Sequence, residues 1–184
     1  MNRSTLLVAS IGGVALLCSV QFSTAKTTQT RVDYTAATEH ASVVYKESRA
    51  KCDPLVGQEK DICLIQAKAV EKRAKASAEA DYKGTIKAKT DSRIANADAD
   101  FMVAKVACAA KAGQEKDICV KQAKATQVKL VADAKAHKTS VVARADARED
   151  TRDAQYKVSL AKCDAMSGTE KDTCVTSAKS AHGK

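Results

Sequence analysis

The sequence predicts an all-α protein, an elongated antiparallel bundle of coiled-coil-like hairpins, three repeats each stapled by one disulfide. Three observations predict it. Strong helix formers dominate the 184 residues, alanine most of all, with a single Pro, seven Gly, no Trp and 3% aromatic residues. One unit occurs three times. Each copy of that unit places two cysteines at nearly equal distances from a central glycine.

The three copies align without gaps. They are YKESRAKCDPLVGQEKDICLIQAKA at 45–69, FMVAKVACAAKAGQEKDICVKQAKA at 101–125 and YKVSLAKCDAMSGTEKDTCVTSAKS at 156–180. The period is 56 residues from Cys52 to Cys108 and 55 from Cys108 to Cys163. Repeats of this length are usually stacked supersecondary units. Each copy carries an aromatic residue, a Cys, a Gly, a second Cys and an Ala-Lys pair at fixed offsets.

Within a copy, the first arm reads as a helix. Tyr34, Ala37, Ala41, Val44, Ser48, Cys52 and Leu55 fall three or four apart and draw one stripe. Gly57, Gly113 and Gly168 stand where that arm would end, and glycine suits a left-handed helix C-cap. The acids of Gln58-Glu59-Lys60-Asp61 then suit the first turn of a second helix. In the last copy Thr169 and Asp172 match an N-terminal Thr-x-x-acid box. Pro54, unique to the first copy, is expected to tighten or distort the last turn of its arm.

Five or six residues at 1.5 Å rise put both cysteines of a copy about 8 Å from the hairpin tip. The expected bridges are therefore Cys52–Cys63, Cys108–Cys119 and Cys163–Cys174. Each closes a small loop and contributes roughly 2–3 kcal/mol in the chain-entropy model. Staples suit a chain so rich in alanine, because burial yields only about 25 cal/mol per Å² and alanine has little area to bury.

The spans between copies are less regular. Val70, Ala74, Ala78, Tyr82, Ile86, Thr90 and Ile94 are each four apart, and such a row drifts by about 40° per step. One straight packed helix cannot use it: either the helix bends or breaks near Gly84 or the row wraps around a supercoil, and a break is expected. His137-Lys138-Thr139-Ser140 is a similar soft point in the second span, which gives about six arms. Two very long helices flanked by shorter ones are the alternative. Residues 26–31 and 182–184 are expected to fray.

At the N-terminus, Arg3, the apolar run from Leu6 to Val20, and Ser23-Thr24-Ala25 predict a signal peptide over 1–25, cut after Ala25. A retained anchor is the other reading, although the run is short for a span. Leu17 before Cys18 argues against lipid modification. Residues 26–184 then form one helical repeat domain with six cysteines. In an oxidising compartment an even number of cysteines reads as disulfides. Without Arg3, 30 Lys+Arg face 22 Asp+Glu, a balance of +8.

Sites for chemistry are few. A Cys-x10-Cys spacing is too wide for local zinc chelates or catalytic dithiols. His40, His137 and His182 have no partners at metal spacing. No phosphate loop or nucleophile elbow occurs. No catalytic residue, metal or cofactor is therefore assigned. Lys and Arg alternate with acids, as on a solvated helical face, and aromatics to stack on bases are scarce, so no nucleic acid is expected.

The core CD-x3-G-x2-KD-x-C resembles that of small exported bacterial proteins of uncharacterised role, built from Ala/Lys-rich helical repeats. Cys52-Asp53, Gly57, Lys60-Asp61 and Cys63 carry it, as do Cys163-Asp164, Gly168, Lys171-Asp172 and Cys174; in the middle copy Ala109 replaces the Asp. The resemblance implies a periplasmic or secreted helical protein and no activity. The expected function is that of a non-catalytic exported structural or adaptor protein of a bacterial envelope. The alternative is a basic module that binds an anionic envelope polymer or lipid. A protein partner, or self-association through Ala-rich arms, is compatible with either.

Overall fold

The computed structural model describes residues 30–184, so the expected signal peptide and Cys18 lie outside the described residues. Five α-helices follow one another: α1 (Arg31–Ala50), α2 (Gly57–Lys83), α3 (Ile86–Ala107), α4 (Gly113–Cys163) and α5 (Gly168–His182). A short 3-10 turn, Cys108–Ala110, lies between α3 and α4. There is no strand among the described residues.

Packing runs between neighbours in sequence: α1 on α2, α2 on α3, α3 on α4 and α4 on α5. Burial within α2 explains this. Ala67 and Ala78 are buried, and so are Ala69 and Ala80, each two residues further on. Two residues turn a helix by about 200°, so these pairs lie on opposite flanks. One flank takes α1, where the Tyr34 and Tyr82 rings stack at 4.9 Å. The other takes α3, where Lys72 reaches Asp98 at 3.3 Å and Arg73 pairs with Asp100. The helices form a row, and alanine lets their backbones come close.

All three expected disulfides are present, with Cα–Cα distances of 5.7, 5.7 and 5.6 Å. Cys52, Cys108 and Cys163 are the largest fully buried side chains. Each staple is thus the core of its own hairpin tip.

The glycines do take the left-handed conformation, with φ of +56°, +51° and +58° at Gly57, Gly113 and Gly168, but they do not end the first arm. They open the second helix. α1 stops at Ala50 and tightens into a 3-10-like turn in which Cys52 N–H donates to the Arg49 carbonyl. Val56 is then extended, and Gly57 turns the chain into α2. The stop comes early because the first cysteine must sit at the tip to meet its partner. Pro54 consequently lies past the helix, in the turn, and distorts no helix interior.

Three further expectations differ from the structure. The Thr169/Asp172 box does not form. Entry through Gly168 makes Ser167 the N-cap, without a side-chain bond, and leaves Thr169 inside the helix. The ends are tied at Thr30, Arg31 and 182–184, where fraying was expected; residues 26–29 lie outside the described residues. Thr30 and Asp33 form a reciprocal capping box ahead of Arg31. Gly183 caps α5 at φ +64°, and Lys184 reaches Asp153 at 2.5 Å. The third difference is the second span. The break near Gly84 is there, with Gly84 as a left-handed C-cap and Thr85 accepting from the Ala88 N–H. His137–Ser140, however, is uninterrupted helix, so α4 runs 51 residues, about 76 Å, and the described residues form five helical arms rather than six. No glycine or proline stands there to stop it.

Candidate functional site: the groove between the first two hairpins

The fixed letters of the repeat have structural partners. The Lys of the Ala-Lys pair lies over the aromatic that heads its copy: Lys68 is 4.9 Å from the Tyr45 ring centre, and Lys124 is 5.3 Å from that of Phe101. In the last copy His182 takes this role beside Tyr156, with ring centres 5.9 Å apart, and shares a 3.0 Å hydrogen bond with Ser159. The Lys of Lys-Asp reaches back to the residue after the first Cys. Lys171 meets the Asp164 carboxylate at 3.0 Å, and Lys60 donates to the Asp53 carbonyl at 3.4 Å. In the middle copy Ala109 offers no carboxylate, and among the described residues Lys116 has no ion pair.

One position, eight residues after the second Cys, differs in each copy. It holds Glu71, Gln127 and His182. Glu71 is buried and accepts from Lys68 at 2.8 Å and Lys75 at 2.6 Å. Those hydrogen bonds, Lys68 first, hold its carboxyl below the ordinary glutamate value of 4.5 against the opposing effect of burial. Gln127 instead donates to Asp98 at 2.6 Å. At the far end, the Lys184 hydrogen bond holds Asp153 below its usual range.

The first two hairpin tips point the same way, since α2 and α3 fold back between them. A groove of about 530 Å³ opens there. Leu64 and Ile65 of α2, Met102 and Val106 of α3 and Val120 of α4 give it an apolar floor. Lys105, Lys116 and Asp61 stand at its edge. Lys116 and the short Ala109 both line it, so the one departure from the repeat motif is located at the groove. Sequence reasoning noted that departure and did not foresee the groove, because its walls come from three helices. Only the apolar residues flanking the second cysteines, Leu64-Ile65 and Val120, signalled a buried face.

Of the residues predicted from sequence, the six cysteines pair within their hairpins and the three glycines turn each tip. None of these nine lines the groove. Among the described residues no group of three or more His, Cys, Asp or Glu gathers as a metal-binding set, and no helix is long and apolar enough to cross a membrane. Comparison with protein-family models, curated proteins and solved structures finds no match.

Proposed function

We propose that this chain is a non-catalytic, exported structural or adaptor protein of a bacterial envelope. The observation that carries the reading is the repeated staple. Every cysteine of the described chain is bonded within its own hairpin, which fits an oxidising compartment and leaves no thiol for redox or metal work. The helical faces between the staples carry alternating charges that suit contact with a partner. Cell fractionation with N-terminal sequencing tests this. A mature chain that begins at Lys26 in the periplasm or medium, gaining one hydrogen per remaining cysteine on reduction, supports it. A reduced cytoplasmic chain starting at Met1 refutes it.

The groove favours a second reading, binding of an anionic envelope lipid. Its floor suits an acyl chain, and the Lys105 and Lys116 ammonium groups suit an anionic head, with Asp61 opposing. Cosedimentation with vesicles of anionic and of zwitterionic phospholipid separates the two readings. Binding confined to anionic vesicles and lost in K105A/K116A favours the lipid module. No binding to either vesicle leaves the adaptor reading.

A further inference from the structure

The change of period from 56 to 55 has a location. Aligned from one copy to the next, Lys83-Gly84-Thr85 of the first span meets Thr139-Ser140 of the second, and Gly84 has no counterpart. The rest of the spans correspond closely. Ala69, Ala76 and Ala80 of α2 match Ala125, Ala132 and Ala136 of α4, with an offset of 56. Ala88, Ser92 and Ala99 of α3 match Ala143, Ala147 and Ala154, with an offset of 55. The second span holds both faces of a helical hairpin and lacks the glycine that would let it fold back.

In the first span these faces cover each other, and Ala69 and Ala99 are each 0% exposed. Their counterparts on α4 are all exposed. Larger apolar side chains on the same face are bare too: Ile118 at 47%, Val128 at 56% and Val158 at 55%. Steps of seven and four residues from Ala125 through Ala132, Ala136, Ala143, Ala147 and Ala154 to Val158 keep this row on one side of a straight helix. The side opposite is taken. Ala134, two residues from Ala136, is buried against α3. Tyr156 faces α5, and it lies about ten turns below Val120, whose side lines the groove with α3. α3 and α5 therefore lie along one flank of α4, and no other helix among the described residues covers the opposite flank.

We infer that two copies of this chain pair antiparallel along α4, each supplying the hairpin arm that the other's missing glycine leaves unpaired. Removing turn residues favours exchange of identical elements between copies. The register follows from the α2/α3 hairpin: Ala136 of one copy meets Ala143 of the second, Ala132 meets Ala147, and Ala125 meets Ala154. The contact is isologous, so it closes as a dimer. Lys72, which reaches Asp98 in the first span, is replaced by Val128, and the same register sets Lys129 of one copy opposite Asp150 of the other; an exposed ion pair contributes little, so apolar contact carries the pairing and it survives salt.

Sedimentation velocity on the oxidised protein, over a concentration series at low and high salt, tests this. The expected result is twice the chain mass at both salts. A136E/A147E, with helicity verified by circular dichroism, should lose the doubled mass, since exposed glutamates suit a monomeric helix. Inserting a glycine between Thr139 and Ser140 should yield a monomer of smaller Stokes radius, because the span can then fold on itself. A wild-type monomer throughout the series overturns the inference, as does a dimer that A136E/A147E leaves intact. An unchanged dimer after glycine insertion overturns the correspondence with α2/α3 on which the register rests.

Discussion

The two spans that join the hairpins began from the same pattern and fold differently. Val70–Asp100 turns back at Gly84 and lays α3 on α2, so the first two hairpins stand side by side with a groove between their tips. Thr126–Gln155 continues as one helix and carries the third hairpin away to the opposite end. The difference is one residue. A left-handed φ of +61° at Gly84 ends a helix that would otherwise continue, and Thr85 caps the next one at once. Where such a residue is missing, helix propensity alone extends the arm. In an Ala-rich chain the punctuation decides the architecture, because packing offers too little area to override it.

Deleting Gly84 is the strongest way to break this comparison. The first span should then straighten like the second, separating α2 from α3 and erasing the groove. Small-angle scattering should show a longer particle, and the α2–α3 contacts Lys72–Asp98 and Arg73–Asp100 should vanish from NMR spectra while the Tyr34–Tyr82 stack within the first hairpin remains. Next in size is the last staple. α5 has 15 residues and, among the described residues, packs chiefly on α4. C163S/C174S should therefore release α5, removing its amide protection, with a loss of about 3 kcal/mol. C52S/C63S should cost a similar amount overall while α2 keeps its slow exchange, because α2 is also held by α3. Gly84→Ala should cost about 1–2 kcal/mol in thermal unfolding, from the left-handed backbone alone, since no neighbouring atom crowds an added Cβ.

Acid should also separate Glu71 from its counterpart Gln127. Glu71 has a lowered pKa in the fold, so its contribution is complete above the ordinary value of 4.5 and is lost as pH falls through the lowered one. Gln127, at the same position of the second copy, has no such dependence. Glu71→Gln should flatten the acid limb of the stability curve at a cost of about 1–2 kcal/mol. Asp164→Ala, which removes the exposed partner of Lys171, should change stability by no more than about 0.5 kcal/mol.

Much of this fold was legible in the residues. The hairpins and their disulfides followed from two cysteines at matched heights about a glycine, and the break at Gly84 from a drifting row of apolar positions. The side of the turn on which each repeat glycine sits was not legible. A left-handed residue can end one helix or begin another, and the choice depended on where Cys52 must stand. The straight course of α4 had a signal in the 55-residue period, which a search for soft residues such as His137–Ser140 does not weigh. The groove had almost none, since Leu64, Met102 and Val120 become neighbours only when three helices stand in a row.

The staples also bear on how the chain matures. Each joins a cysteine to the next one along, at a separation of 11 residues. Six cysteines allow 15 complete pairings. A chain threaded through a channel from its N-terminus and oxidised as it emerges meets only one of them. If the leader with Cys18 is cut away as proposed, Cys63 arrives when Cys52 is the sole thiol waiting, and the same holds for each later pair. Vectorial emergence thus gives the native connectivity with no isomerisation step, and each hairpin can close before the next has left the channel.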